Sequence, residues 1–212
     1  MYPIAYEADY ARERDRLTTF FRLIVAIPWL IVGAIYVFAA EVVALIAWFA
    51  ILITGRYPEG LYNFNAGVLR SVTRISAFTV LQTDAWPPFG LSPDPTYPVR
   101  LQVAPRAERQ SRAKAFFRII LALPLLIVAH AMSFLQQGAA FLAWLTIVFR
   151  GYQPAGVHNA LAFANAWHAR FFGYLLILRD EYPPVGDEPT QVGDVPAAGQ
   201  PALGGSAATA GQ

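Results

Sequence analysis

Cysteine is absent from this 212-residue sequence, and charged residues are scarce. Without cysteine the chain has no disulfide, no thiolate metal ligand and no cysteine nucleophile. Charged residues make up 14% of the chain, against about 25% in soluble domains. Hydrophobic residues make up 56%, and the mean hydropathy is +0.41. These proportions exclude a disordered chain, a coiled coil, a nucleic-acid-binding module and an ordinary cytosolic enzyme. They favour a small, all-α polytopic membrane protein.

Motifs for catalysis and secretion are also missing. The sequence contains no Gly-rich phosphate loop, no His-Glu-x-x-His, no Gly-x-Ser-x-Gly and no Asp pair within an apolar segment. None of its three histidines has metal-ligand spacing with another His, Asp or Glu. The amino terminus lacks the apolar segment and cleavage site of a signal peptide. We therefore expect a non-enzymatic protein without a cofactor or metal, inserted by its own first apolar segment.

The chain is a tandem repeat. Shifted by 96 residues, it aligns with itself without a gap from Arg16 to Gly90. Phe20-Phe21-Arg22 falls on Phe116-Phe117-Arg118, and Gly55-x-x-Pro58-x-Gly60 falls on Gly151-x-x-Pro154-x-Gly156. So long an ungapped match indicates two copies of one structural unit.

The repeat sets the predicted domain organisation. The first membrane repeat covers residues 1–90, a Pro-rich linker covers 91–105, and the second membrane repeat covers 106–186. Residues 187–212 are rich in Gly, Ala, Pro and Gln, which predicts a disordered tail.

Each copy begins with an apolar segment that is long for one membrane span. Residues 17–54 contain only two charged side chains, Arg22 and Glu41. One helix of this length would measure about 57 Å, nearly twice the hydrocarbon thickness. The length predicts a helical hairpin that turns near residues 36–41. The second copy predicts the same over 113–149, with its turn at Gln136-Gln137-Gly138.

A third segment follows each hairpin, at residues 60–82 and 156–178. Arg70 and Arg74 lie four residues apart and so on one helical face, opposite an apolar face. This pattern predicts an amphipathic helix at the membrane interface. A third membrane span in each copy, giving six spans in place of four, is the alternative.

The basic residues favour the arrangement with four spans. All 16 lie outside the predicted hairpin turns. Because basic loops stay in the cytoplasm, both hairpins should enter from that side, in parallel, with both termini cytoplasmic.

Four arginines are candidate binding residues because they recur at equivalent positions in the two copies: Arg22, Arg74, Arg118 and Arg170. The plain interpretation is that they anchor helices by reaching lipid phosphates. The functional alternative is that Arg22 and Arg74 bind one anionic headgroup, and Arg118 and Arg170 a second. The repeated Asp84 and Asp180 should end a helix or pair with a nearby arginine.

Three motifs resemble a known family: Phe20–Pro28, Ala47–Leu61 and Thr83–Phe89. They are similar to the bacterial membrane family catalogued as domain of unknown function four-three-eight-nine. The second copy is more divergent, with Tyr152-Gln153-Pro154 in place of Arg-Tyr-Pro. The resemblance implies a bacterial inner-membrane protein, often with tandem copies, and transfers no activity or catalytic residue.

Two classes of function follow from these observations. The leading hypothesis is a non-enzymatic scaffold or complex subunit, or a lipid-interacting module. Its partners would be membrane lipids, anionic ones included, and a membrane protein or a second copy of the chain, but no nucleic acid. The alternative is a component of a small transporter or channel, which a polar cavity at mid-membrane depth would favour.

Overall fold

The two copies contain the same helices in the same order. The computed structural model describes residues 2–185. Its elements are β1 (Ile4–Ala8), α1 (Arg16–Phe20), α2 (Arg22–Thr54), α3 (Glu59–Thr79), β2 (Val99–Val103), α4 (Arg112–Phe116), α5 (Arg118–Arg150) and α6 (Ala155–Leu175). Helices α4–α6 repeat α1–α3 at positions 96 residues later. The predicted disordered tail, 187–212, lies outside the described residues.

Each long apolar segment is one helix, so the predicted hairpins are wrong. Helices α2 and α5 each run unbroken for 33 residues, or about 50 Å. The expected turn at residues 36–41 contains neither Gly nor Pro, and its Ala and Glu are good helix formers. At the second expected turn, Gly138 stays helical and a Cβ there would meet no atom within 4 Å.

The count of four spans fails with the hairpins. Within residues 2–185, two helices are long and apolar enough to cross a membrane, namely α2 and α5. Pro28 and Pro124, each the seventh residue of its helix, lie in the second turn and do not end the helix. Each helix ends at a glycine in the left-handed conformation, Gly55 with φ 70° and Gly151 with φ 77°. Glycine favours this conformation because it has no Cβ.

The third helix of each copy, predicted as an amphipathic helix at the membrane interface, belongs to the core of the protein. More than half of the residues of α3 and of α6 are buried. Helix α3 packs along α2, where small residues recur at every seventh position, as Ala26, Gly33, Ala40 and Ala47. Helices α3 and α6 also contact each other. Small side chains let α2 and α3 approach closely.

The segments that precede the two copies pair with each other. Strand β1 lies antiparallel to β2, with Tyr6 opposite Leu101 and Ala8 opposite Val99. Strand β2 falls within the predicted linker, 91–105, so this segment is structured. Each strand packs on the third helix of the copy that it does not precede. Strand β1, before the first copy, contacts α6, and strand β2, before the second copy, contacts α3. We call this two-stranded unit the ribbon.

The short helices exchange in the same way. Helix α1 contacts α5, and α4 contacts α2. The backbone N–H of Arg14 donates to the carbonyl of Gly151 at 3.1 Å, and that of Gln110 donates to Gly55 at 3.0 Å. These two bonds are equivalent under the 96-residue shift. The copies are therefore related by an approximate twofold axis that passes through the ribbon.

The twofold axis makes α2 and α5 antiparallel, in contrast to the parallel copies predicted from charge. The indole Nε1 of Trp48, near the end of α2, donates to the carbonyl of Ala115 before α5, at 2.8 Å. Phe20, before α2, stacks on Trp144 near the end of α5, with ring centroids 6.2 Å apart. The start of each long helix thus lies beside the end of the other.

Candidate functional site

The first repeated arginine pair lies inside the protein. Arg22 and Arg118 are 2% and 4% exposed. Arg22 forms an ion pair with Asp84, and the Nη2 atom of Arg118 lies 3.0 Å from Oδ1 of Asp180. The predicted pairing of these aspartates with an arginine is confirmed. Each guanidinium also lies over an aromatic ring 4.2 Å from its centroid: Arg22 over Phe78 and Arg118 over Tyr174.

The second pair is held by the exchanged strands. The buried Arg74 donates to the carbonyl of Ser92 at 3.0 Å and lies over the ring of Tyr97, just before β2. Arg170 is equally buried and lies over the ring of Tyr2, just before β1. Burial lowers the pKa of Arg74, and the nearby Asp94 opposes that shift.

The contacts of these four arginines within the chain therefore differ from the predicted convergence of two arginines on one headgroup. Arg22 and Arg74 contact different partners, Asp84 and Ser92, and each arginine of the second copy has its own aromatic ring. All four are engaged within the chain. Binding of an anionic headgroup by them stays a prediction.

The long helices expose wide apolar faces instead. On α2 the exposed large side chains run from Leu23, 72% exposed, to Ile53, 74% exposed. Helix α5 exposes a similar row, from Ile119 to Phe149. Within the most apolar 18-residue stretch of each helix, 22% of the stretch is buried in α2 and 11% in α5. Core helices of soluble proteins are mostly buried, whereas apolar faces of this extent mark contact with lipid or a partner.

An apolar cavity of about 650 Å³ lies between the copies. Its walls come from four helices of both copies, and Arg118 and Glu41 also line it. The apolar lining consists of Val37, Ala40, Ala44, Leu45, Trp48, Val68, Leu69, Val72, Ile119, Phe172, Leu175, Leu176 and Ile177. Several of these side chains, such as Leu45 at 56% and Ile119 at 79%, are exposed. The cavity therefore opens onto the apolar surface.

A smaller cavity of about 100 Å³, with polar side chains in its lining, adjoins it. Leu69, Val72 and Phe172 line both cavities. The polar lining consists of Thr73, Ser76, Gln136, Asn165 and His168.

Hydrogen bonds hold this polar lining together. The Oδ1 atom of Asn165 accepts from Nε2 of Gln136 at 2.7 Å and from Oγ of Ser76 at 2.9 Å. The Nδ2 atom of Asn165 donates to Gln82, which also accepts from the hydroxyl of Tyr6 in the ribbon, both at 2.5 Å. The polar lining is thus fixed from α5 through to the ribbon.

His168 completes the polar lining as a neutral side chain. Burial lowers its pKa. Its Nδ1 lies 2.8 Å from the carbonyl of Ala164, which can only accept, so Nδ1 carries the proton. The Nε2 atom then accepts from Oγ of Ser133 at 3.2 Å.

Residues at equivalent positions of the two copies line the two cavities, but the side chains at those positions differ. Under the 96-residue shift, Ala40, Leu69 and Val72 of the first copy match Gln136, Asn165 and His168 of the second. Phe172 of the second copy matches Ser76 of the first. A third cavity of about 360 Å³, beside Trp144 and Phe141, matches the Trp48 and Leu45 end of the large one.

Sequence reasoning missed this polar cluster. Gln136 is one of few polar side chains within an apolar segment, but its interpretation as part of a turn removed it from consideration. The apolar counterparts of Gln136, Asn165 and His168 in the first copy were the signal in the sequence.

A comparison with protein-family models assigns the two copies directly. The model described as Domain of unknown function (DUF4389) matches residues 16–90 and again 112–186. The chain belongs to this family. Each match begins at a short helix, α1 or α4, and includes the two longer helices that follow. Strand β1 precedes the first match and β2 precedes the second. No curated protein and no solved structure matches the chain.

Proposed function

We propose that this protein is a non-enzymatic lipid-interacting module that lies within one leaflet of a membrane, with α2 and α5 parallel to the membrane plane. In this placement the apolar faces of α2 and α5 contact acyl chains, and the ribbon faces water. The family resemblance supports a bacterial cytoplasmic membrane as the location.

One observation carries the proposal: each long apolar helix has exposed basic residues at both ends. Arg16 begins α1, the short helix before α2, and Arg56 follows α2, while Lys114 lies in α4, the short helix before α5, and Arg150 ends α5. Because α2 and α5 are antiparallel, a spanning arrangement would place equal basic clusters on both sides of the membrane, against the usual charge asymmetry. Insertion in one leaflet places all of them at the same headgroup layer.

The ribbon gives a second argument against spanning helices. The twofold axis passes through the ribbon and between α2 and α5, so in a spanning arrangement the ribbon would lie at mid-bilayer depth. Glu7, Asp9 and Arg100 form exposed ion pairs there, with Arg100 Nη2 2.6 Å from Asp9. A two-stranded unit also has two open edges, and unpaired backbone groups are costly in hydrocarbon.

Single cysteines would test this placement, since the natural chain contains none. Glu13→Cys lies before α2, Glu59→Cys after it and Glu108→Cys before α5, and all three positions are exposed. In sealed vesicles, a membrane-impermeant maleimide should label all three from the same side. Ile35→Cys, 60% exposed on the middle of α2, is the matched control and should resist this reagent.

Labelling of Glu13→Cys and Glu59→Cys from opposite sides would overturn the proposal. It would also favour the second candidate, a small transporter or channel component. The observation behind that candidate is the Gln136–Asn165 cluster, which would then lie at mid-membrane depth beside the ribbon.

A further inference from the structure

We propose that the two adjoining cavities form one binding site for a single-chain amphipathic lipid with a neutral polar end. The apolar chain lies in the larger cavity, and the polar end, a hydroxyl group, lies in the smaller. The inference depends on the proposed function only for the source of the ligand, which is the surrounding leaflet.

The larger cavity has the size and access that such a chain requires. Its volume of about 650 Å³ falls within the range of about 300–1,000 Å³ that is typical of small-molecule sites. Leu45, Ile119 and Phe172 line it and are 56%, 79% and 42% exposed. Its apolar lining is therefore continuous with the lipid-facing surface of α2 and α5, so an acyl or isoprenoid chain can enter sideways from the leaflet.

The smaller cavity supplies hydrogen bonds without a formal charge. Gln136 uses one N–H on Asn165, which leaves its second N–H, and no partner for its Oε1 occurs within the described residues. The hydroxyl group of Ser76 donates to Asn165, and its oxygen keeps lone pairs for accepting. Because a hydroxyl group both donates and accepts, it matches this lining.

The charged groups nearby disfavour an anionic end. Arg118 lines the larger cavity, but it already bonds Asp180 at 3.0 Å and the carbonyls of Tyr174 and Arg179 at 3.0 and 2.6 Å. Glu41 lines the same cavity and forms no ion pair within residues 2–185. In the smaller cavity, where the polar end lies, no lining side chain carries a formal charge, so a carboxylate or phosphate would find no counter-charge there.

The repeat predicts a single site in each chain. The equivalent positions Ala40, Leu69 and Val72 provide no polar lining, and they form the wall of the apolar cavity instead. One ligand per chain is therefore expected, although the fold has two equivalent places.

The test uses the full chain in mild detergent, with hexadecanol as the probe and native mass spectrometry as the readout. One hexadecanol should bind per chain and bind more tightly than hexadecane or hexadecanoate. Leu45→Trp, which fills the larger cavity, should weaken binding about tenfold. Ile46→Trp is the matched control, because Ile46 is the next exposed residue and does not line the cavity.

A second variant tests the polar end. Gln136→Leu should reduce the preference for hexadecanol over hexadecane about fivefold, the loss expected for one hydrogen bond. Thermal unfolding of each variant confirms that it is folded. An unchanged preference in Gln136→Leu, equal weakening by Leu45→Trp and Ile46→Trp, or a wild-type chain that binds no hexadecanol would each overturn the inference. Because these measurements are made in detergent, they are independent of the maleimide result, which decides the membrane placement alone.

Discussion

The guanidinium of Arg118 donates to the carboxylate of Asp180 at 3.0 Å, joining the first residue of α5 to the segment that follows α6. The side chain of Arg118 is 4% exposed and that of Asp180 is 20% exposed. The bond ties both ends of the second copy together, and Arg22 and Asp84 do the same in the first.

Removing this carboxylate should destabilise the protein. Asp180→Asn leaves a buried guanidinium without its counter-charge, and breaking a buried pair costs about 3–5 kcal/mol. Because Asp180 keeps partial contact with solvent, we expect a loss of about 3 kcal/mol in the free energy of unfolding, measured by denaturant titration in bicelles. Glu181→Gln, which neutralises the next side chain, is the control. Equal stability of the two variants would contradict a structural role for the pair.

A glycine in α3 marks a close contact with the segment before β2. A Cβ added to Gly67 would lie 2.9 Å from Cβ and 3.0 Å from the carbonyl oxygen of Leu91. Because a backbone atom must move, Gly67→Ala should lower the free energy of unfolding by about 1–3 kcal/mol. Gly60→Ala, in the same helix and with no atom within 4 Å, should stabilise by about 0.5 kcal/mol or more. The order of the two melting temperatures decides the prediction.

Acid should destabilise the protein through two histidines. Burial lowers the pKa of both His158 and His168, so the folded state favours their neutral forms. In the unfolded chain the two histidines become protonated near pH 6.5. Their contribution to the free energy of unfolding is therefore fully present above that pH and declines as the pH falls below it. The slope is at most about 1.4 kcal/mol per pH unit for each histidine.

The double variant His158→Gln/His168→Gln isolates this effect. Unfolding free energies are measured from pH 8 to pH 5 for both proteins. Carboxylates titrate in both, so the difference between the two curves reports the histidines. Parallel curves would show that neither histidine is held neutral by the fold.

Basic residues at the two ends of α2 should contribute to contact with anionic lipid. Arg16 and Arg56 are both exposed, and one basic residue near an anionic surface is worth about 1 kcal/mol. Arg16→Gln and Arg56→Gln should each reduce retention of an anionic lipid about fivefold in native mass spectrometry. Arg100→Gln, which removes one charge from the ribbon, should have no such effect. Equal losses in all three variants would place the ribbon at the membrane surface as well.

The repeat was the feature that sequence could predict best. A constant shift of 96 residues gives equivalent helices, equivalent glycine ends at Gly55 and Gly151, and the recurring aspartates at Asp84 and Asp180. These features are local or pairwise within a copy, so self-alignment is enough to find them.

Length alone misled the prediction of the hairpins. The inference assumed that a long apolar helix crosses the membrane perpendicularly, and it placed a turn where no residue breaks a helix. A helix that lies in the membrane plane has no such limit on its length. The ribbon was missed because Ile4–Ala8 finds its partner more than 90 residues away, at Val99–Val103. No local sequence pattern near either short strand predicts that pairing.

The exchange of strands has a consequence for how this fold can exist. Tyr2 reaches across to Arg170, and Tyr97 serves Arg74 in the same way. Each half of the molecule thus contributes an arm that the other half needs to cover its own buried cation. A polypeptide carrying a single copy would have to form a symmetric dimer by swapping these arms, and fusion of two genes would then have made that subunit exchange permanent.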